Sequence, residues 1–102
     1  MTVMDEVEEL ADIFKALSDP TRLRLVKLLT DHQGALCVNA LARNLSVTQS
    51  AVSQHLRVLR QARLVEGERQ GYHVHYALDP ARLEQFRTSV LETLGEEFVV
   101  VR

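Results

Sequence analysis

Apolar residues in this chain follow two alternating rhythms, and each change of rhythm marks a new element. Val3, Val7, Leu10, Phe14 and Leu17 recur at intervals of four and three, the spacing that puts side chains on one stripe of an α-helix. Acidic residues occupy the faces between them, so the pattern predicts a helix over about residues 3–17 that needs a packing partner. Ser18-Asp19-Pro20 interrupts it. Asp19 suits an N-cap, and Pro20 suits the first helical position, where the N–H it lacks has no intrahelical partner anyway. Leu23, Val26 and Leu29 are the expected buried side of this second helix, and Gly34 is the expected stop. Ala35 to Val38 is a short apolar stretch with room for one strand rung.

Asn39 to Asn44 then predicts a brief helix with Leu41 and Leu45 inward, Leu45 to Val47 a turn, and Thr48 the N-cap of a helix running to about Ala62. The inward stripe of this last helix is Val52, Leu56 and Leu59. At 100° per residue, Ser50, Gln54, Arg57 and Gln61 fall on the opposite side, with Gln49 and Ser53 on a flank nearer the N-terminus. From Leu64 the period shortens to two, with Tyr72, Val74, Tyr76 and Leu78 on one strand face and Gln70-Gly71 as the hairpin turn. Asp79-Pro80 repeats the cap-then-proline signal and opens a final helix carrying Leu83, Phe86, Val90, Leu91 and Leu94, with Gly95 at its end. A short helix, a tight turn, a capped helix with a polar outer face and a hairpin make a winged helix-turn-helix. The expected class is therefore mainly α with a small β-hairpin. One domain spans residues 1–102, with the helix-turn-helix at about 39–62, the wing at about 64–78, and further helices at about 3–17 and 80–95.

Composition narrows the setting. A chain of 102 residues has room for one core, and a domain this small gains from a partner that covers more apolar surface. The single cysteine, Cys37, excludes an intrachain disulfide and points to a reducing compartment. The first twelve residues carry four acids before Asp12 and no base, unlike a signal peptide, and no run approaches the ~20 apolar residues of a membrane span. A cytoplasmic protein is expected. The net charge of −2 argues against a nucleic-acid partner until it is divided. Residues 20–78 hold eight Arg and Lys against three acids, +5, whereas residues 1–19 hold one base against six acids and residues 79–102 three against five. A basic middle between acidic ends concentrates positive potential on one part of the surface.

The chemistry of that middle is recognition. Gln49, Ser50, Ser53 and Gln54 present amides and hydroxyls suited to base edges in a major groove, where an ordinary solvated helix face favours Glu and Lys. Arg57 and Arg60 lie further along within reach of phosphate or a guanine, and Arg69 at the wing tip suits phosphate or the adjoining minor groove. An enzyme is not expected: Ser53 and His55 point different ways on their helix, no glycine-rich phosphate loop exists, and Cys37 has no evident base.

Three separated segments also resemble a known family. Phe14-Lys15-Ala16-Leu17-Ser18-Asp19-Pro20-Thr21-Arg22-Leu23-Arg24, the run from Gln49 to Leu59, and Gln70-Gly71 with Val74 and Tyr76 resemble, in order, the opening, recognition helix and wing of ArsR/SmtB-type regulators. The resemblance covers about residues 10–95. It implies a symmetric dimer built from the first and last helices, with Val7, Leu10, Phe14, Leu83, Phe86, Val90 and Leu94 at the seam. It further implies an inverted-repeat operator in double-stranded DNA, base reading by Gln49, Ser50, Ser53 and Gln54, and release by an inducing signal. Arg63 departs from the pattern, standing where the family usually has glycine.

The family's metal sites are not expected here. Cys37-Val38-Asn39 retains one thiol where a soft metal needs two, and the last helix has no histidine. Neither a metal nor another cofactor is expected. His73 and His75 have ligand spacing on one strand, on a face expected to be solvated and with no third ligand in view. His55 is expected as a half-buried packing residue, and Cys37 as a small apolar one. A repressor responsive to metal or thiol chemistry through Cys37 or His73 and His75, and a winged helix used for protein contacts, are the alternatives.

Overall fold

The computed structural model describes residues 5–96, so Val3 lies outside the described residues. Five helices and three short strands follow one another among them: α1 Glu6–Leu17, α2 Pro20–His32, β1 Leu36–Cys37, α3 Val38–Leu45, α4 Gln49–Gln61, β2 Val65–Gln70, β3 His73–Leu78 and α5 Pro80–Leu94. The sheet order is β1-β3-β2, antiparallel throughout.

Short polar side chains start four of the five helices, all but α3. The Asp5 carboxylate accepts from the Glu8 N–H at 2.8 Å, Asp19 from Thr21 and Arg22 at 2.8 and 3.1 Å, Thr48 from Ala51 at 3.0 Å, and Asp79 from Arg82 at 3.1 Å. Each satisfies a backbone donor that the first turn leaves without a partner. The expected stop at Gly34 falls one residue late: Gln33 takes the left-handed conformation, with φ of 57°.

The core lies where α1, α2, α3 and α4 converge on the base of the sheet. Leu25, Leu41, Val52, Leu56, Leu59 and Leu64 are fully enclosed there. Two expectations about buried faces need correction. On α2, Leu25 and Leu29 are buried while Leu23 is 51% exposed. Leu23, Leu25, Val26, Leu28 and Leu29 surround most of that helix, so periodicity alone does not select a side. On α1, Leu10, Ile13 and Ala16 are the buried set, and Val7 and Phe14 lie on an adjoining exposed strip. The helix therefore presents two apolar strips, one inward and one outward.

The wing is a tight hairpin. Gln70 pairs with His73, leaving Gly71 and Tyr72 as the two-residue turn, with Gly71 at φ 65°. That conformation favours glycine. Tyr72 belongs to this turn and is fully exposed, rather than sharing the strand face of Val74, Tyr76 and Leu78. Strand β1 closes the other side of β3 through Leu36–Tyr76 and Cys37–His75 pairs.

Candidate nucleic-acid interface

Two consecutive turns hold α4 against the body of the molecule. Ser46 adopts φ 54° after α3, the Ser46 N–H donates to the Arg43 carbonyl, and the Val47 N–H donates back to Ala42 at 3.1 Å. This closes the helix and turns the chain within three residues. Thr48 then caps α4, whose inner side, Val52, Leu56 and Leu59, is anchored in the core. The anchoring fixes the roll of the helix and leaves Gln49, Ser50, Ser53, Gln54 and Arg57 exposed, together with Arg60 and Gln61. Arg69 is exposed on β2, opposite Val74 and one residue before the hairpin end.

Two notches flank the helix. Asn39, Ala42, Arg43, Ser46, Val47 and Gln49 line one, between α3 and the start of α4. Ser53, Arg57, Arg60, Gln61 and Tyr76 line the other, where α4 meets the sheet. The sequence reading did not place Arg43 at this surface, although a basic residue on the first helix of a helix-turn-helix stands where that helix crosses the DNA backbone. The sequence marks Tyr76 as a strand-face residue of the wing and gives no signal that places it at this surface.

Two of the charges counted in the basic middle, Lys27 and Arg22, are engaged elsewhere. Lys27 pairs with Asp31 at 3.2 Å. Arg22 points inward, its Nε donating to the Ala16 carbonyl and its Nη2 to Lys15 at 3.4 Å, with Nη1 3.4 Å from His55 Nδ1. His55 Nδ1 also lies 3.9 Å from Asp19. The half-buried His55 thus sits in a polar joint linking the end of α1, the start of α2 and the middle of α4. The backbone N–H of Arg22, followed by that of Thr21, holds the Asp19 carboxyl below its ordinary value against an opposing effect of burial.

The remaining candidates separate in space. His73 is exposed, but His75 is half-buried and its Nδ1 is enclosed with no partner among the described residues. The expectation of a solvated face for both is thereby corrected, because β1 covers that edge of β3 and sets Cys37 beside His75. No group of three or more His, Cys, Asp or Glu side chains among the described residues is placed to share a metal ion.

At the expected seam, Leu10 is 4% exposed and enclosed within the protomer, whereas Val7 is 66%, Phe14 46% and Leu94 75% exposed. Leu83 and Phe86 are half-buried and pack partly on the core, and Val90 is also half-buried. Phe86 meets Phe14 edge to face with ring centroids 5.4 Å apart.

A core-anchored helix with an amide, hydroxyl and guanidinium face, preceded by a short helix and followed by a hairpin, defines a winged helix-turn-helix regulator. A family model described as bacterial regulatory protein, arsR family, matches residues 19–67, from the α2 cap to the middle of β2. The transcriptional repressor SmtB homolog of Synechocystis sp. is 40% identical over 93 residues, 91% of this chain and 69% of that protein. An ArsR-like transcriptional regulator from Rhodococcus sp. RHA1 superimposes with a TM-score of 0.73 at 33% identity, over 85% of this chain and 79% of the other. A homodimeric winged helix-turn-helix DNA-binding domain from Mycobacterium bovis shares the fold at 24% identity, with a TM-score of 0.70 over 100% of this chain and 99% of that one. The chain belongs to the ArsR family of bacterial regulatory proteins; it is a transcriptional regulator, not an enzyme.

Proposed function

We propose that the protein is a cytoplasmic, homodimeric repressor that reads an inverted-repeat operator, with α4 of each protomer in a major groove and the wing against the neighbouring backbone. The observation that carries this reading is the division of α4 into a fully buried apolar side and an exposed side of Gln49, Ser50, Ser53, Gln54 and Arg57. Side-chain amides pair with adenine edges, hydroxyls with several bases, and arginine with guanine or phosphate. Support for the dimer comes from the apolar residues of α1 and α5 that the protomer leaves exposed, and a two-fold dimer presents its two recognition helices to a two-fold sequence. Among the described residues, no helix is long and apolar enough to cross a membrane. Occupancy of a promoter by such a dimer blocks transcription, in keeping with the repressor role named for the Synechocystis relative.

Selection of duplexes from a randomised library by the purified protein tests the reading. The expected product is a two-fold symmetric sequence whose affinity falls steeply with salt. Recovery of unenriched duplexes, or binding indifferent to salt, is the result that rejects it.

A further inference from the structure

The notch between α4 and the sheet shares with the α3–α4 notch the absence of carboxylates, but it alone of the two carries two guanidinium groups and no aliphatic lining residue. Its volume is about 390 Å³, and Ser53, Arg57, Arg60, Gln61 and Tyr76 line it. All five side chains carry hydrogen-bond donors, two are guanidinium groups, and no carboxylate is among them. The cleft between α1 and α5, in contrast, is lined by Glu6, Glu9, Glu84 and Glu92, and the one below the wing root by Glu66 and Asp79. The ion pairs among the described residues are Lys27–Asp31, His55–Asp19 and Arg87–Glu84, so neither Arg57 nor Arg60 forms one there, although Arg60 also borders the cleft that holds Glu66 and Asp79.

Tyr76 has a reserved seat. It pairs across the sheet with Gly67, and a Cβ at Gly67 would come within 3.0 Å of Tyr76 Cε1 and 3.4 Å of Cζ. The hydroxyl-bearing end of the ring therefore lies over the bare backbone of β2, and a side chain at residue 67 would press on it and on Val74 Cγ1, 3.2 Å from the same Cβ position, so that one or both must shift by a few tenths of an ångström. Gly67 in turn borders the same cleft as Arg60.

We propose that this notch is the seat of one DNA backbone phosphate, on the strand that borders the major groove occupied by α4. Arg57 and Arg60 supply charge there, and the Tyr76 hydroxyl donates to a phosphate oxygen. The proposal rests on the DNA-binding reading above and adds Tyr76 to the interface, beside the Arg57 and Arg60 already expected at phosphate, with Gly67 as the residue that positions Tyr76. A phosphate contact fixes register and orientation without selecting sequence, so its loss weakens all duplexes alike. A neutral donor also leaves the counterion balance untouched, unlike an arginine.

The test uses the full chain, a labelled duplex selected from a random library by the wild-type protein, and a scrambled duplex of the same composition. Tyr76→Phe, which keeps the ring and its packing, is expected to weaken both duplexes about tenfold with an unchanged salt slope. Arg60→Gln is expected to weaken both and to lower the slope by about one unit. Gly67→Ala is expected to reproduce part of the Tyr76→Phe loss by displacing the ring, with thermal melts confirming that each variant folds. Neutral methylphosphonates placed singly along the selected duplex should reveal one phosphate per half-site at which the wild type loses affinity and Tyr76→Phe loses no more. The proposal is overturned if Tyr76→Phe binds both duplexes like the wild type, if its loss is confined to the selected sequence, or if it persists undiminished at every methylphosphonate position. A wild-type protein that binds neither duplex overturns the DNA-binding reading as well, so the two failures are distinguishable.

Discussion

Arg63 stands in the left-handed region, with φ of 61°, at the point where α4 ends. Its N–H donates to the Arg60 carbonyl at 2.9 Å, and the Leu64 N–H reaches back to Leu59 at 3.0 Å. This pair of bonds normally closes a helix over glycine. A side chain with a Cβ costs roughly 1 kcal/mol or somewhat more in that conformation, while glycine loses more entropy on folding. The balance favours Arg63→Gly by up to about 1 kcal/mol, which raises the midpoint of a thermal melt followed by circular dichroism by a few degrees. Arg63→Val should lower the midpoint, and a glycine variant melting below the wild type contradicts the account. The departure was legible as a residue at a glycine position; the sign of φ was not, because several backbone conformations accommodate arginine. Asp19 yields a second prediction. Its native pKa lies below the ordinary value of 3.8, so the stabilisation from its ionised form is complete above that value and is lost as pH falls through the lower native one. Asp19→Asn keeps an N-cap acceptor but not the titration. Urea unfolding across acid pH should therefore show a shallower loss of stability for the variant, and identical acid limbs contradict the assignment.

The elements follow from local signals where those signals act over three or four residues. Asp19-Pro20, Thr48 and Asp79-Pro80 announced their helices because a cap and its donor are close in sequence. The polar side of α4 was legible because its apolar stripe is narrow. What escaped the pattern depends on neighbours far along the chain. The choice of Leu25 over Leu23 is decided by packing among α2, α3 and α4, the burial of His75 by the pairing of β1, and the seat of Tyr76 by Gly67 on the adjacent strand. Wing and recognition helix should also divide the work of binding. Arg69, exposed near the hairpin end, forms no ion pair among the described residues that would fix its side chain. Arg69→Ala is expected to weaken selected and scrambled duplexes equally and to lower the salt slope by about one unit, whereas Gln54→Ala or Ser53→Ala should relax preference at particular base pairs. Anisotropy titrations at several salt concentrations check this, and equal effects of all three changes on both duplexes argue against base reading by α4.

At the scale of the molecule, the protomer does not close on itself. The Cα radius of gyration is 15.6 Å, against about 13 Å for a compact chain of this length. Helix α5 has no fully buried residue, and Leu91 and Leu94 are 47% and 75% exposed alongside Val7 and Phe14 on α1. Exposed apolar side chains on α1 and α5 suit a seam with a second copy. Their differing burial makes the seam testable without unfolding the protomer. Phe86 packs on both Phe14 and the core, so Phe86→Glu harms folding and association together. Leu94, three-quarters exposed, contributes little to the protomer, and Leu94→Glu introduces a charge chiefly into the proposed seam. Sedimentation equilibrium is expected to give a dimer for the wild type and a monomer for Leu94→Glu. Because association stabilises the native state by mass action, the wild-type melting midpoint should rise with protein concentration and that of the variant should not. Operator affinity should fall in parallel, since in the proposed binding mode a lone protomer engages only one half-site. A Leu94→Glu protein that remains dimeric and binds the two-fold duplex as tightly as the wild type places the seam elsewhere on the surface.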